Sequence, residues 1–152
     1  MGTLKDRLRA DLTASMKARN GLTTATLRMV LSAVHTEEVS GNTARELSDP
    51  EVSAVLRRER KKRAEAAQAF ADGGRPESAE RERAESAVLE AYLPKQLSDE
   101  ELTELVSRVL AELSLSGVPS FGAGMKAVQA RVAGRADGAR VAPEVRRQLG
   151  TG

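Results

Sequence analysis

Seven consecutive residues, Arg57-Arg58-Glu59-Arg60-Lys61-Lys62-Arg63, stand out as the group that could do chemistry. Guanidinium and ammonium groups at this density can neutralise phosphates, and displaced counterions then drive association. On a helix the seven go almost twice around, so they cannot all face one way. The competing reading is a solvated face with pairs one turn apart, such as Glu59 with Arg63. Glu59 and Arg63 differ from the others because they fall on the apolar stripe of their helix.

Other candidates are weaker. His35 is the single histidine; it could act as a general base, but it sits beside Val34 on the flank of a helical stripe. A zinc site needs several His or Cys ligands, and the chain has no cysteine. Carboxylate pairs occur at Glu37-Glu38 and at Glu82 with Glu85, while Asp99-Glu100-Glu101 is explained by helix capping. Gly117, Gly122 and Gly124 match neither nucleotide fingerprint, so no cofactor is expected. Gly134-Arg135-Ala136-Asp137-Gly138 has two readings: exposed amides plus Arg135 meeting a phosphate, or a tight turn that sets up the next helix. Three aromatics are too few for a base-stacking platform. No catalytic residue and no metal ligand is assigned.

The net charge is +2 although 30% of residues are charged, so nucleic-acid binding would need a local patch rather than bulk charge. No apolar run approaches the roughly 20 residues that span a bilayer, and no signal-peptide core is expected at the N-terminus. With no cysteine, a cytoplasmic protein off the membrane is the expectation.

Helices must position these groups. Leu4, Leu8, Leu12 and Met16 make one stripe, closing at Asn20-Gly21, where the glycine is expected to take a left-handed cap. A second helix runs from about Thr23 to Val39, with Leu27, Val30, Leu31 and Val34 inside. Ser48-Asp49-Pro50-Glu51 starts a third, which carries the basic run to about Ala71. A fourth spans about Pro76 to Tyr92, with Ala84, Ala87, Val88, Ala91 and Tyr92 inward and Glu80 to Arg83 plus Glu85 outward.

Pro94 then stops one helix, and Ser98 with Glu101 starts another by a capping box. Leu102, Leu105, Val106, Val109, Leu110 and Leu113 form the cleanest stripe in the chain. Phe121, Met125, Val128 and Val132 mark a short helix, and Val145 and Leu149 a last one near Pro143. The fold is all-α: an N-terminal antiparallel bundle of four helices, residues 1–93, followed by a small C-terminal domain of three, residues 94–152.

On these residues the chain resembles the GatB/YqeY family. The likeness rests on Leu27-Arg28-Met29, the Arg57 to Arg63 run with Phe70, Gly74-Arg75, Glu82 with Ala84-Glu85, and Gly122 with Met125. It is strongest in the Tyr92-Leu93-Pro94-Lys95-Gln96-Leu97-Ser98 stretch and in Gly134 to Gly138. Ser78 departs from it, since relatives usually have a bulky apolar residue there. The resemblance implies a four-helix unit and a three-helix unit, similar to the tail of the B subunit of bacterial tRNA-dependent amidotransferases. It carries the label of a carbon-nitrogen ligase using glutamine as amido donor, but implies a non-catalytic, tRNA-associated module, because the tail performs no chemistry alone. Arg57, Arg58, Lys62, Arg63, Arg75 and Arg135 are then the expected nucleic-acid contacts. The alternative is a module that docks on a protein partner.

Overall fold

The computed structural model describes residues 3–115 and 117–150, and every regular element among them is an α-helix. The chain divides into two compact units, Met1–Leu93 and Pro94–Gly152.

The first unit contains α1 (Leu4–Lys17), α2 (Gly21–Glu38), α3 (Asp49–Asp72) and α4 (Pro76–Glu90). Local chemistry sets most boundaries. Thr3 with Asp6, and Ser48 with Glu51, close capping boxes at the starts of α1 and α3. Between α1 and α2 the turn differs from the sequence expectation. Arg19, not Gly21, takes the left-handed backbone (φ 57°). Asn20 caps α2 by accepting from the Thr23 amide, and Gly21 is the first helical residue. The Asn20 cap therefore shifts the turn back by two positions and loads its strain on an L-residue.

Leu8, Leu27, Val34, Val52, Leu56 and Leu89 are fully enclosed and form the centre of this core. Each such side chain contributes about 1.5–3 kcal/mol by leaving water. Met16, the last member of the α1 stripe, lies outside this core and is 49% exposed. Polar groups also reach inside. Lys5 Nζ lies 2.7 Å from Glu38 Oε2, which also accepts from the Leu47 amide, so one carboxylate ties α1, α2 and the following loop. Those bonds hold the Glu38 carboxyl below the usual carboxylate range.

The faces of α4 also correct the sequence reading. Ala87 and Ala91 are exposed, whereas Glu85, assigned outward, is buried beside the fully enclosed Ala79 and Leu89. Apart from Leu89, α4 has no large aliphatic that is fully enclosed. Its orientation follows an ion pair with α3 rather than an apolar stripe. Ser78 is half-buried, so small residues face inward in the first turn of α4. Tyr92, just past α4, donates its hydroxyl to Asp11 Oδ2 at 2.5 Å, and the Arg7 guanidinium covers its ring.

The second unit contains α5 (Asp99–Ser114), α6 (Phe121–Val132) and α7 (Gly138–Leu149). Ser98 and Glu101 form the expected capping box. The core is Leu102, Val106, Val109, Leu110, Val128, Val132, Val141 and Val145, with Leu97 and Ala136 at its edge. Gly124 lets α6 approach closely: a Cβ there would stand 3.2 Å from Leu110 Cδ2 and 3.4 Å from Val145 Cγ1. The last helix begins five residues before Pro143, earlier than the sequence suggests. Pro143 is exposed, as is Ala139 four residues before it, so water can satisfy the carbonyl that the proline leaves free.

Candidate nucleic-acid interface

The basic run occupies the middle of α3 and is sorted by the helix into an inside and an outside. Arg63 is inside. Its Nε is 3.3 Å from Glu85 Oε2 and 3.9 Å from Glu82 Oε2, while Nη2 lies 3.9 Å from Glu59 Oε1. The Glu85 contact is ionic only, because its alignment leaves the Arg63 Nε–H without a hydrogen-bond acceptor. Glu59, Arg60 and Glu85 are buried alongside. A second bond runs from Arg81 Nε to Glu85 Oε1 at 3.4 Å. Burying these charges is costly unless they compensate each other, so this cluster fixes the rotation of α3 against α4. As placed, Arg63 orients the helix and does not reach the surface.

Outside, Arg58 and Lys62 lie one turn apart. Arg58 reaches Glu37 of α2 at 3.1 Å, and Lys62 is 3.8 Å from Glu59. Arg57 is half-buried on the opposite flank of the helix, with Lys61 exposed one turn further on. The sequence reading passed over Lys61, whose only signal is its spacing of four from Arg57. Arg75 is exposed at the start of α4, with its guanidinium 5.1 Å from the centre of the Phe70 ring. That contact holds the side chain while leaving its N–H groups toward solvent.

Arg135 belongs to the second unit. Its guanidinium donates to the carbonyls of Val132 and Arg131 at the end of α6, and its own carbonyl accepts from the Leu97 amide at 2.7 Å. Ala133 and Gly134 both take left-handed backbone there. The Gly134 to Gly138 loop thus behaves as a tight turn. Arg135 also lines a groove of about 310 Å³ with Arg108, Arg131, Glu101 and Glu104, in which Arg108 pairs with Glu104.

A groove of about 690 Å³ between the start of α2 and α4 contains Glu77 and Glu80 beside Arg81, a poor seat for an anion. His35 is exposed on α2. Among the described residues, no three His, Cys, Asp or Glu side chains are grouped to hold a metal ion, and no helix is long and apolar enough to cross a membrane.

The family model for the YqeY-like protein matches residues 5–149. The chain belongs to the YqeY-like family. It is also 32% identical over 114 residues to altered inheritance of mitochondria protein 41, mitochondrial, of Clavispora lusitaniae, an alignment covering 74% of this chain and 65% of that relative. The chain thus spans somewhat under two thirds of the relative's length. Membership gives the two most distinctive sequence stretches a shared structural reason. Gln96 Nε2 donates to the Gly134 carbonyl, Leu97 is bonded to Arg135, and Arg140 Nη2 donates to the Leu97 carbonyl at 2.7 Å. In this YqeY-like fold the Pro94–Ser98 segment and the Gly134–Gly138 turn are partners, each satisfying backbone groups of the other.

Proposed function

We propose that this YqeY-like chain is a non-catalytic helical module that associates with tRNA through α3, in the manner of an amidotransferase B-subunit tail. The observation that supports this most directly is the presentation of Arg57, Arg58, Lys61 and Lys62 on an α3 whose rotation is held by the buried Arg63 cluster. Cations on a fixed helix meet a phosphate backbone without first losing the freedom of a mobile segment. Arg75, braced on Phe70, extends the same set. Contacts of this kind read shape and backbone rather than bases. In this reading the two compact units are separate domains, an antiparallel four-helix one and a three-helix one, and the module works in a cytoplasm whose reducing conditions suit a chain without cysteine; the bacterial setting rests on the family resemblance alone.

Titration of the protein with bulk tRNA across a series of salt concentrations tests the proposal. Affinity should fall steeply with salt, and Arg57→Ala, Arg58→Ala and Lys62→Ala should each flatten the logarithmic slope by about 0.7–0.9. Absence of binding at low salt would refute it. A second reading, docking on a protein partner, draws on Leu115 and Val118, which are 89% and 94% exposed between α5 and α6. Recovery of a protein partner after nuclease treatment, lost on Leu115→Ser, would favour that reading.

A further inference from the structure

The turn between α1 and α2 carries the dipeptide Asn20-Gly21, and both residues are exposed. A nucleophile and an electrophile are neighbours there. Gly21 is the first residue of α2, so its amide has no acceptor inside the helix. Glycine has no Cβ to screen that nitrogen, and a Cβ built at Gly21 would meet nothing within 4 Å. Two bonds keep the Asn20 carboxamide away from it. Oδ1 accepts from the Thr23 amide at 3.1 Å, and the Asn20 main-chain carbonyl accepts from the Thr24 amide at 3.0 Å. Next to them Arg19 holds a left-handed backbone, a strain that is released when the turn opens. Asn42, the other asparagine of the chain, is also exposed but precedes the β-branched Thr43.

We propose that Asn20 is a self-deamidation site of the folded chain, reached by fraying of the first turn of α2 rather than by unfolding of the unit. Hydroxide takes the Gly21 amide proton, and that nitrogen attacks Asn20 Cγ. An N–C bond forms, the Cγ–Nδ2 bond breaks, and Nδ2 leaves as ammonia with a proton from water. Water then opens the cyclic imide at one of its carbonyls, giving aspartate or isoaspartate, and no oxidant or reductant is needed. Fraying breaks the two bonds to Thr23 and Thr24, which slows the reaction by about 5- to 150-fold relative to the unfolded chain. Waiting for the whole unit to unfold would slow it by more than about a thousandfold. The two products treat the cap differently. Aspartate keeps an oxygen for the Thr23 amide and adds negative charge to a helix whose first turn has no acid. Isoaspartate adds a methylene to the main chain, in a turn confined between Lys17 and Gly21 that already strains Arg19. It therefore loses the cap and loosens α1 from α2.

The test incubates the full chain in mildly alkaline buffer and follows the peptides holding Asn20 and Asn42 by mass spectrometry. Labelling by an isoaspartyl methyltransferase separates the two products. Asn20 should convert well ahead of Asn42 in the folded chain, and faster by about 5- to 150-fold once urea has unfolded it. Urea below the unfolding transition should leave the rate nearly unchanged, because fraying exposes little surface. Gly21→Ala, for which the turn has room, should slow conversion in folded and unfolded chains alike. Tyr92, the single tyrosine, lies in the first unit, so its fluorescence reports melting of that unit. By that signal Asn20→Asp should melt no lower than the parent, whereas the isoaspartate-bearing chain should melt lower. Asn20 staying amidated in the folded chain for as long as Asn42 would overturn the proposal. So would a rate that climbs with urea in step with the unfolded fraction, or an isoaspartate-bearing chain that melts with the parent.

Discussion

Replacing Arg63 with Met is the sharpest perturbation of the first unit. The side chain keeps its apolar stem and loses the guanidinium that lies 3.3–3.9 Å from Glu59, Glu82 and Glu85, leaving Arg81 still on Glu85. Two of those carboxylate side chains are 9% exposed, so water cannot take over as counter-charge, while Glu82 at 23% is partly relieved. Removing one partner of a buried ion pair costs about 3–5 kcal/mol. A unit of this size has a total stability of about 5–14 kcal/mol, so the loss is about a fifth of it or more. Urea unfolding followed by Tyr92 fluorescence should show a much lower midpoint with an unchanged slope. Adding Glu85→Gln to the variant should restore about 1 kcal/mol or more, because the uncompensated charge is then smaller. Where the variant is still folded, the salt slope of tRNA binding should stay as in the parent, since Arg63 does not reach the surface. A cost below about 1 kcal/mol, or a further loss on adding Glu85→Gln, would refute the role given to the cluster.

Gly124→Leu should destabilise the second unit by about 1–3 kcal/mol, because the added side chain meets Leu110 and Val145 at the α6 contact; far-UV circular dichroism should lose cooperativity while Tyr92 fluorescence unfolds as before. Arg147 and Gln148 hold the Glu144 carboxyl at about 2, well below its ordinary 4.5, so its contribution to the second unit is complete above about 4.5 and is lost as pH falls toward 2. Glu144→Gln should flatten that acid limb in denaturation midpoints measured across pH. Tyr92→Phe removes the donation to Asp11 and should lower first-unit stability by about 1 kcal/mol, read from urea midpoints by circular dichroism. Burial and the bond to Asp11 raise the Tyr92 phenol above its ordinary 10.0, so ultraviolet titration of the parent should show phenolate only at stronger alkali.

The sequence by itself determined the helices and most of their ends. Capping at Ser48, Ser98 and Thr3 depends on neighbouring residues and is therefore written locally. The α5 stripe was legible because its aliphatics recur at the helical period with acids and arginine between them. The family was legible too, from short stretches whose spacing is distinctive. What the sequence left open depended on contacts far along the chain. It marked Glu59 and Arg63 as odd on an apolar face, but Glu85 looked like one more solvent-side acid in a mixed-charge helix. Only packing of α3 on α4 brings Arg63 to Glu85 and turns a phosphate candidate into a buried counter-charge. Likewise Pro94–Ser98 and Gly134–Gly138 read as two separate signals, and only the folded second unit shows them bonded to each other. Helix ends are decided within a few residues, whereas the partner of a buried charge is decided by whichever helix closes over it.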